Sequence, residues 1–367
     1  MRQLLLPVLI ILLLAYCSPK EKASTFSSEI ENIFASQFNA DEPGACVLIR
    51  KGDSTLFLKS YGLADLDTKE PITSGTLFNL GSISKPIVAY GILMLRDEGK
   101  LSLDDPIIKY FPDFKNKQIA EAVTIRHLLT HTSGLPDVRK ITEDSVFYLT
   151  AKDAENWAPI MQVDSLAFNP GEQFEYSNPA FNALALIIEQ VSETKWQKFI
   201  EERIFKPAGM TTSTITDGPH PETGVSHCYI KVNGQWLEKD YGEEPTFAAA
   251  GNGGVWSSVD ELIRYELAMR NASFISHRTI SESYEVIKPE NWKADYEPFI
   301  GLSWFINTTK GGDKIVAHTG SQGGFFCHFV SVPAKEILYV VLANRYYDGE
   351  GSYEQVFSAL EKYGVLD

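Results

Sequence analysis

Cysteine is scarce in this chain, four residues in 367, and none stands in a Cys-x-x-Cys pair. There is no His-Glu-x-x-His and no glycine-rich loop ending in Gly-Lys-Ser/Thr. These absences remove zinc-finger, zinc-protease and P-loop readings, because each needs its ligands or glycines at a fixed spacing. No Gly-x-Ser-x-Gly occurs, so an α/β-hydrolase with its strained serine elbow is a weaker rival reading. Positive charge is the other shortage. Lys and Arg total 33 against 48 Asp and Glu, a formal charge of -15, and no basic cluster offsets it. Such a surface repels a phosphate backbone, which rules against nucleic acid as a partner. What remains, 44% hydrophobic and 22% charged residues, is the balance of an ordinary globular protein, with length for about two domains.

The N-terminus reads as an export signal. Arg2 supplies a positive start, and Leu4 to Leu14 form an apolar run of 11 residues. That is short of the roughly 20 needed to span a bilayer, but it suits a signal-peptide core. Cys17 follows closely, then the polar stretch Ser18 to Lys22. The segment resembles a bacterial lipoprotein signal. That implies cleavage before Cys17, lipidation of its thiol, and a periplasmic or outer-membrane lipoprotein anchored there. Tyr16 stands where such signals usually carry a small residue, and a plain secretory signal cut nearby is the alternative. Residues 1–16 are therefore expected as signal and 17–27 as a polar tether. Three cysteines remain, allowing at most one internal disulfide, and Cys46 and Cys327 sit in apolar runs where a thiol packs as a small hydrophobe.

Apolar spacing places a helix over Ser28–Phe38 and strands over Ala45–Arg50 and Thr55–Ser60, joined at Lys51-Gly52-Asp53. A helix follows Gly81 and runs to about Glu98, before Gly99. Helical stretches such as Phe181–Val191 and Lys195–Ile204 come next. Strands return at Phe325–Val332 and Ile337–Ala343, and a helix over Tyr353–Tyr363 closes the chain. Sheet pieces at both ends with helices between predict an α/β (α+β) fold. In it, residues 28–80 and 255–367 build the sheet domain and 81–254 an inserted, mainly helical one.

Ser82-Ile83-Ser84-Lys85 sets a hydroxyl and an amine three residues apart, on one face of a helix. A serine hydroxyl is a poor nucleophile until a base takes its proton, and a lysine removed from water can be that base. The spacing alone carries little weight. With 29 Ser and 23 Lys, chance predicts about 1.8 such pairs, and the chain has two. The second, Ser192 and Lys195, has Glu193 and Thr194 beside it and reads as solvated surface. Two further fragments select the first pair. Tyr176-Ser177-Asn178 is the only Tyr-x-Asn, and His318-Thr319-Gly320 the only His/Lys-Thr-Gly.

Together with the blocks Tyr61–Lys85, Thr124–Asp137, Asn169–Glu189 and His318–Phe325, these fragments resemble the serine β-lactamase and penicillin-binding superfamily. The branch is that of class C β-lactamases, D-Ala-D-Ala carboxypeptidases and related esterases, and the likeness spans roughly residues 28–365. It implies an antiparallel sheet flanked by helices, with the helical part inserted. It implies Ser82 as the acylated nucleophile, Lys85 as its proton acceptor and Tyr176 as the proton carrier to the leaving group. Asn178 would orient the substrate amide and the lysine. His318, Thr319 and Gly320 would line the strand edge beside the substrate, and the backbone N–H groups of Ser82 and Ser321 would form the oxyanion hole. No metal or cofactor is implied. The substrate would be a small molecule or peptide, a class that includes cell-wall fragments.

Class C β-lactamases usually carry Lys where His318 stands, so peptidase or esterase activity ranks above efficient β-lactam hydrolysis. A class C-type β-lactamase and a non-catalytic penicillin-binding sensor are the alternatives. An ordinary imidazole titrates near 6.5, so binding of a carboxylate-bearing substrate is expected to weaken as pH rises through that value. His127 and His131 are expected to be structural, Trp256 and Trp304 to fill core or pocket wall, and Gly251, Gly253 and Gly254 to form a tight turn.

Overall fold

A computed structural model describes residues 19–137, 150–218, 220–238 and 248–366. The stretch expected as a signal, residues 1–16, and Cys17 lie outside the described residues. The first helix, α1 (Pro19–Ala35), starts nine residues earlier than Ser28 and takes in most of the stretch read as a tether. Proline is favoured in a helix's first turn, and Lys20 to Ala23 are all good helix formers, so local propensity extends the element beyond its apolar stripe. After Ala35 the chain closes in a turn, with the Gln37 and Phe38 N–H groups both donating to the Phe34 carbonyl.

Strands β1 (Ala45–Lys51) and β2 (Ser54–Tyr61) form the expected hairpin. Four strands follow late in the chain: β3 (Phe305–Thr308), β4 (Lys314–Gln322), β5 (Phe325–Val332) and β6 (Ile337–Ala343). All join one antiparallel sheet in the order β3-β4-β5-β6-β1-β2. The sheet is covered on both faces. Cys46, Leu48, Val340 and Leu342 point into one core with the helices of the chain's middle. Val47, Ile49, Tyr339 and Val341 point into another, against α1 and the C-terminal helix. Double burial explains why β1 and β6 read as unbroken apolar runs rather than alternating ones. The sequence pattern does not reveal β3 and β4, because Gly311, Gly312 and the Gly320–Gly324 cluster mask a strand signal.

The remaining helices that matter are α2 (Ser84–Asp97), α3 (Pro179–Ser192), α4 (Val259–Arg270) and α5 (Gly349–Lys362). α2 is buried from Ser84 through Leu95 and packs on α3 so closely that a Cβ on Gly91 would lie 2.7 Å from Ile188 Cδ1. Cys46, Cys228 and Cys327 are all buried. Trp256 and Trp304 lie in the core. The glycines at 251, 253 and 254 do not make the expected turn. Residues Ala250–Gly253 form a short helix, and a Cβ on Gly251 would come 2.8 Å from that of Ala185, so close approach to α3 is what requires glycine there.

Candidate active site

Ser82 lies in a single 3-10 turn, Gly81–Ile83, that leads into α2. Gly81 enters it with φ of 50°, a left-handed backbone that glycine tolerates, and its N–H donates to Asn79 Oδ1 (2.8 Å). β4 presses against this turn. β3 pairs with β4 only as far as Ala317, so from His318 onward that edge of β4 has no strand beside it. A Cβ on Gly81 would fall 2.9 Å from the Ser321 nitrogen, and one on Gly320 would fall 3.4 Å from the Ser82 nitrogen. The two backbone N–H groups assigned to the oxyanion hole therefore lie at one turn-to-strand contact.

Lys85 is the second residue of α2 and is fully buried. Its Nζ donates to Ser82 Oγ (2.8 Å) and to the Asn252 carbonyl (2.8 Å). It also stands 5.0 Å from the centre of the Tyr176 ring and 5.8 Å from that of Phe181. The other Ser-x-x-Lys pair behaves as surface: Lys195 binds Glu189 (2.5 Å) and Ser192 bonds to the Thr194 backbone.

Tyr176 and Asn178 bracket the start of α3, where Pro179 takes the first helical position and Ser177 Oγ accepts the Ala180 N–H (3.3 Å). The Tyr176 ring stacks on His131 with centroids 4.4 Å apart. His131 Nδ1 accepts the Ser177 N–H (3.0 Å), which leaves its proton on Nε2. Burial and the Lys85 charge hold its pKa well below the ordinary value, so it is a neutral platform under the tyrosine. His127 likewise serves structure, closing a cap in which its Nδ1 accepts the Thr124 N–H (3.1 Å). Asn178 Nδ2 donates to Asp137 Oδ2 (3.2 Å).

His318 departs most from expectation. It is 1% exposed, its Nδ1 bonds to the Thr319 carbonyl (2.7 Å), and burial followed by the Lys85 charge pushes its pKa down to about 3. The expected titration near 6.5 is therefore corrected: this imidazole is neutral throughout the physiological range. Gly320 lies against the Leu80 carbonyl rather than along the cleft wall.

A cleft of about 500 Å³ opens here, lined by Ser82, Tyr176, Asn178, Phe305, His318, Thr319, Ser321 and Gln322. Phe305, Gln322, Asp137 and Asn252 are members of the site that the sequence motifs do not single out. Asn252 acts through its carbonyl, which any residue could supply, so no side-chain pattern could reveal it. Asp137 ends one of the blocks that carry the resemblance, and that position is the signal by which it could be found.

An antiparallel sheet covered by helices, with a Ser-x-x-Lys pair bonded at the head of a buried helix, defines a serine acyl-transfer fold. The sequence profile of the beta-lactamase family matches residues 31–361, and the chain belongs to that family, whose members include serine hydrolases. Penicillin-binding protein 4* of Bacillus subtilis (strain 168) is 27% identical over 349 residues, 89% of this chain and 73% of its own length. An octameric penicillin-binding protein homologue from Pyrococcus abyssi superposes with a TM-score of 0.76 at 27% identity, covering 95% of this chain and 78% of that one. D-amino acid amidase from Ochrobactrum anthropi SV3 shares the fold, with a TM-score of 0.74 at 20% identity over 93% of this chain and 98% of its own.

Proposed function

We propose that this chain is an exported serine hydrolase that opens an amide or ester bond through an acyl-enzyme on Ser82. The observation that carries the reading is the 2.8 Å contact of Lys85 Nζ with Ser82 Oγ inside a cleft shared with Tyr176. Ser82 Oγ attacks the substrate carbonyl carbon while the Lys85 amine takes its proton. The carbonyl oxygen, now anionic, is received by the N–H groups of Ser82 and Ser321; one such donor contributes about 3–4 kcal/mol. Tyr176 hands a proton to the departing alcohol or amine and regains one from Lys85, which returns the lysine to its neutral form. Water then attacks the acyl-Ser82 ester, releasing the acid and restoring the serine.

Within that reaction we favour a peptidase or esterase over an efficient β-lactamase. Apart from Lys85, whose amine is taken up by Ser82 Oγ and the Asn252 carbonyl, no cation stands among the described residues lining the cleft, and at the strand edge His318 is neutral. A carboxylate on the substrate would find no fixed positive partner there, so uncharged esters and amides are the better donors. Export with a lipid on Cys17 belongs to the same proposal and is supported by the signal-like N-terminus.

A fluorophosphonate adduct located by mass spectrometry tests the nucleophile. It is expected on Ser82, with turnover abolished in Ser82→Ala and kept in Ser192→Ala; an adduct on Ser192 overturns the assignment. A panel of short-chain nitrophenyl ester, D-Ala-D-Ala peptide and chromogenic cephalosporin tests the substrate class, with the ester expected fastest. A single burst equal to the enzyme concentration on every member would mean a sensor instead.

A further inference from the structure

The second acceptor of the Lys85 amine, besides Ser82 Oγ, is the carbonyl of Asn252, on the four-residue helix Ala250–Gly253, which has no side-chain cap. What anchors that helix is a carboxylate outside the cleft. Asp153 is 6% exposed and opens the short helix Asp153–Trp157. Its Oδ1 accepts the Gly251 N–H (2.8 Å) and Asn182 Nδ2 (2.6 Å), and its Oδ2 accepts Trp196 Nε1–H (3.0 Å). Asn182, fully buried on α3, in turn accepts Asn252 Nδ2–H on its Oδ1 (3.1 Å). The carboxylate thus holds the residue before Asn252 directly, and the Asn252 side chain through Asn182. A buried carboxylate is costly, and this one is kept in company with three donors converging from three elements.

We propose that Asp153 is a positioning residue for acyl transfer: through Gly251 and Asn182 it sets the Asn252 carbonyl, and with it the angle at which Lys85 meets Ser82. The inference rests on the reading of Ser82 as nucleophile. Burial raises the Asp153 pKa to about 6, and Asp217, itself paired with Lys152 (3.0 Å), adds to the rise. Its other partners, Gly251, Asn182 and Trp196, are neutral donors. Protonation turns one acceptor oxygen into a donor facing them, so the network slackens as pH falls through that value.

Asp153→Asn keeps an acceptor for Gly251 and Asn182 but turns an amide N–H toward the Trp196 indole N–H. Adding Trp196→Phe removes that clash. Asn182→Ser cuts the strut to Asn252 and leaves Asp153 its bonds from Gly251 and Trp196. Turnover of a nitrophenyl ester is followed from neutral to mildly acid pH, normalised to Ser82 sites titrated with fluorophosphonate. Asp153→Asn is expected to lower kcat per site about tenfold or more, with KM within about twofold. It should also erase the acid inflection expected in wild type. The double variant should recover to within about threefold of Trp196→Phe alone, still without the inflection. Asn182→Ser should lose kcat yet keep the inflection. In wild type, which needs no variant to fold, the NMR shift of the Trp196 indole N–H should titrate with the midpoint of that inflection. Separate midpoints, or wild-type kcat per site in Asp153→Asn and Asn182→Ser, overturn the proposal. Failure of the fluorophosphonate to label wild-type Ser82 would instead strike the nucleophile reading, so the two failures are distinct.

Discussion

The carbonyl oxygen of Leu80 lies so close to Gly320 that a Cβ built on that glycine would sit 1.9 Å from it. The contact joins β4 to the turn that carries Ser82 and sets the spacing of the cleft floor. It makes Gly320 a packing requirement, with its effect on substrate transmitted through the two backbones it allows to meet.

Gly320→Ala should therefore separate strand from turn. A methyl group cannot enter a space bounded by backbone, so the backbone itself must shift. We expect kcat/KM to fall by about a hundredfold, with the melting temperature lowered as well, since overpacking costs about 1–3 kcal/mol. Steady-state kinetics and thermal unfolding check this. Near-wild-type values in both would mean that the strand has room to move.

Tyr176→Phe should fold as the wild type does, because the ring keeps its stack on His131 and only the oxygen is lost. Acid–base groups contribute about 10²–10⁴-fold, and a rate loss in that range is expected on both ester and amide substrates. A rate within about twofold of wild type would remove Tyr176 from the mechanism.

The buried histidines predict an acid-sensitive fold and a substrate preference that does not follow pH. Burial lowers His127 and His328 to about 4 and His318 to about 3, from an ordinary 6.5. A group whose folded-state pKa is depressed contributes its stability above the unfolded value and loses it as pH falls toward the folded one. Stability should thus decline as pH drops below about 6.5, and continue to do so toward the folded values. Asp153, raised to about 6 from 3.8, acts in the opposite direction, its contribution shrinking as pH rises through that interval, and burial raises Glu201 and Glu266 likewise. Paired carboxylates such as Glu98 and Asp104 are lowered and act with the histidines. Denaturant unfolding across this range measures the sum. With His318 already neutral, KM for a carboxylate-bearing amide should stay level from neutral to mildly acid pH. His318→Lys should lower it and raise relative turnover of cephalosporins. A KM that follows an imidazole titration would contradict the buried, neutral state.

The lipid proposed on Cys17 would hold the protein to a membrane. Native protein should fractionate with membranes and require detergent for release, and Cys17→Ser should free it. A wild-type protein that is soluble without detergent would mean that Tyr16 prevents the lipoprotein pathway and an ordinary signal operates.

Some of this molecule is set locally and is legible in the residues themselves. The three-residue spacing of Ser82 and Lys85 brings them to one side of the turn that leads into α2, within reach of the 2.8 Å contact. The apolar runs of β1 and β6 announce strands buried on both sides, and Pro179 marks the start of α3 just after Tyr176 and Asn178. Other features arise only when distant segments meet. β4 is hidden in the sequence because its glycines look like a loop until the Leu80 carbonyl is set against them. The neutrality of His318 comes from burial beside Lys85, residues 233 positions apart in a chain of 367, and no spacing rule encodes a dielectric environment. The Asn252 carbonyl is the extreme case. A backbone oxygen has no residue identity, so its place beside Lys85 is decided by how the helix Ala250–Gly253 seats on α3, and by the Asp153 carboxylate that holds it there.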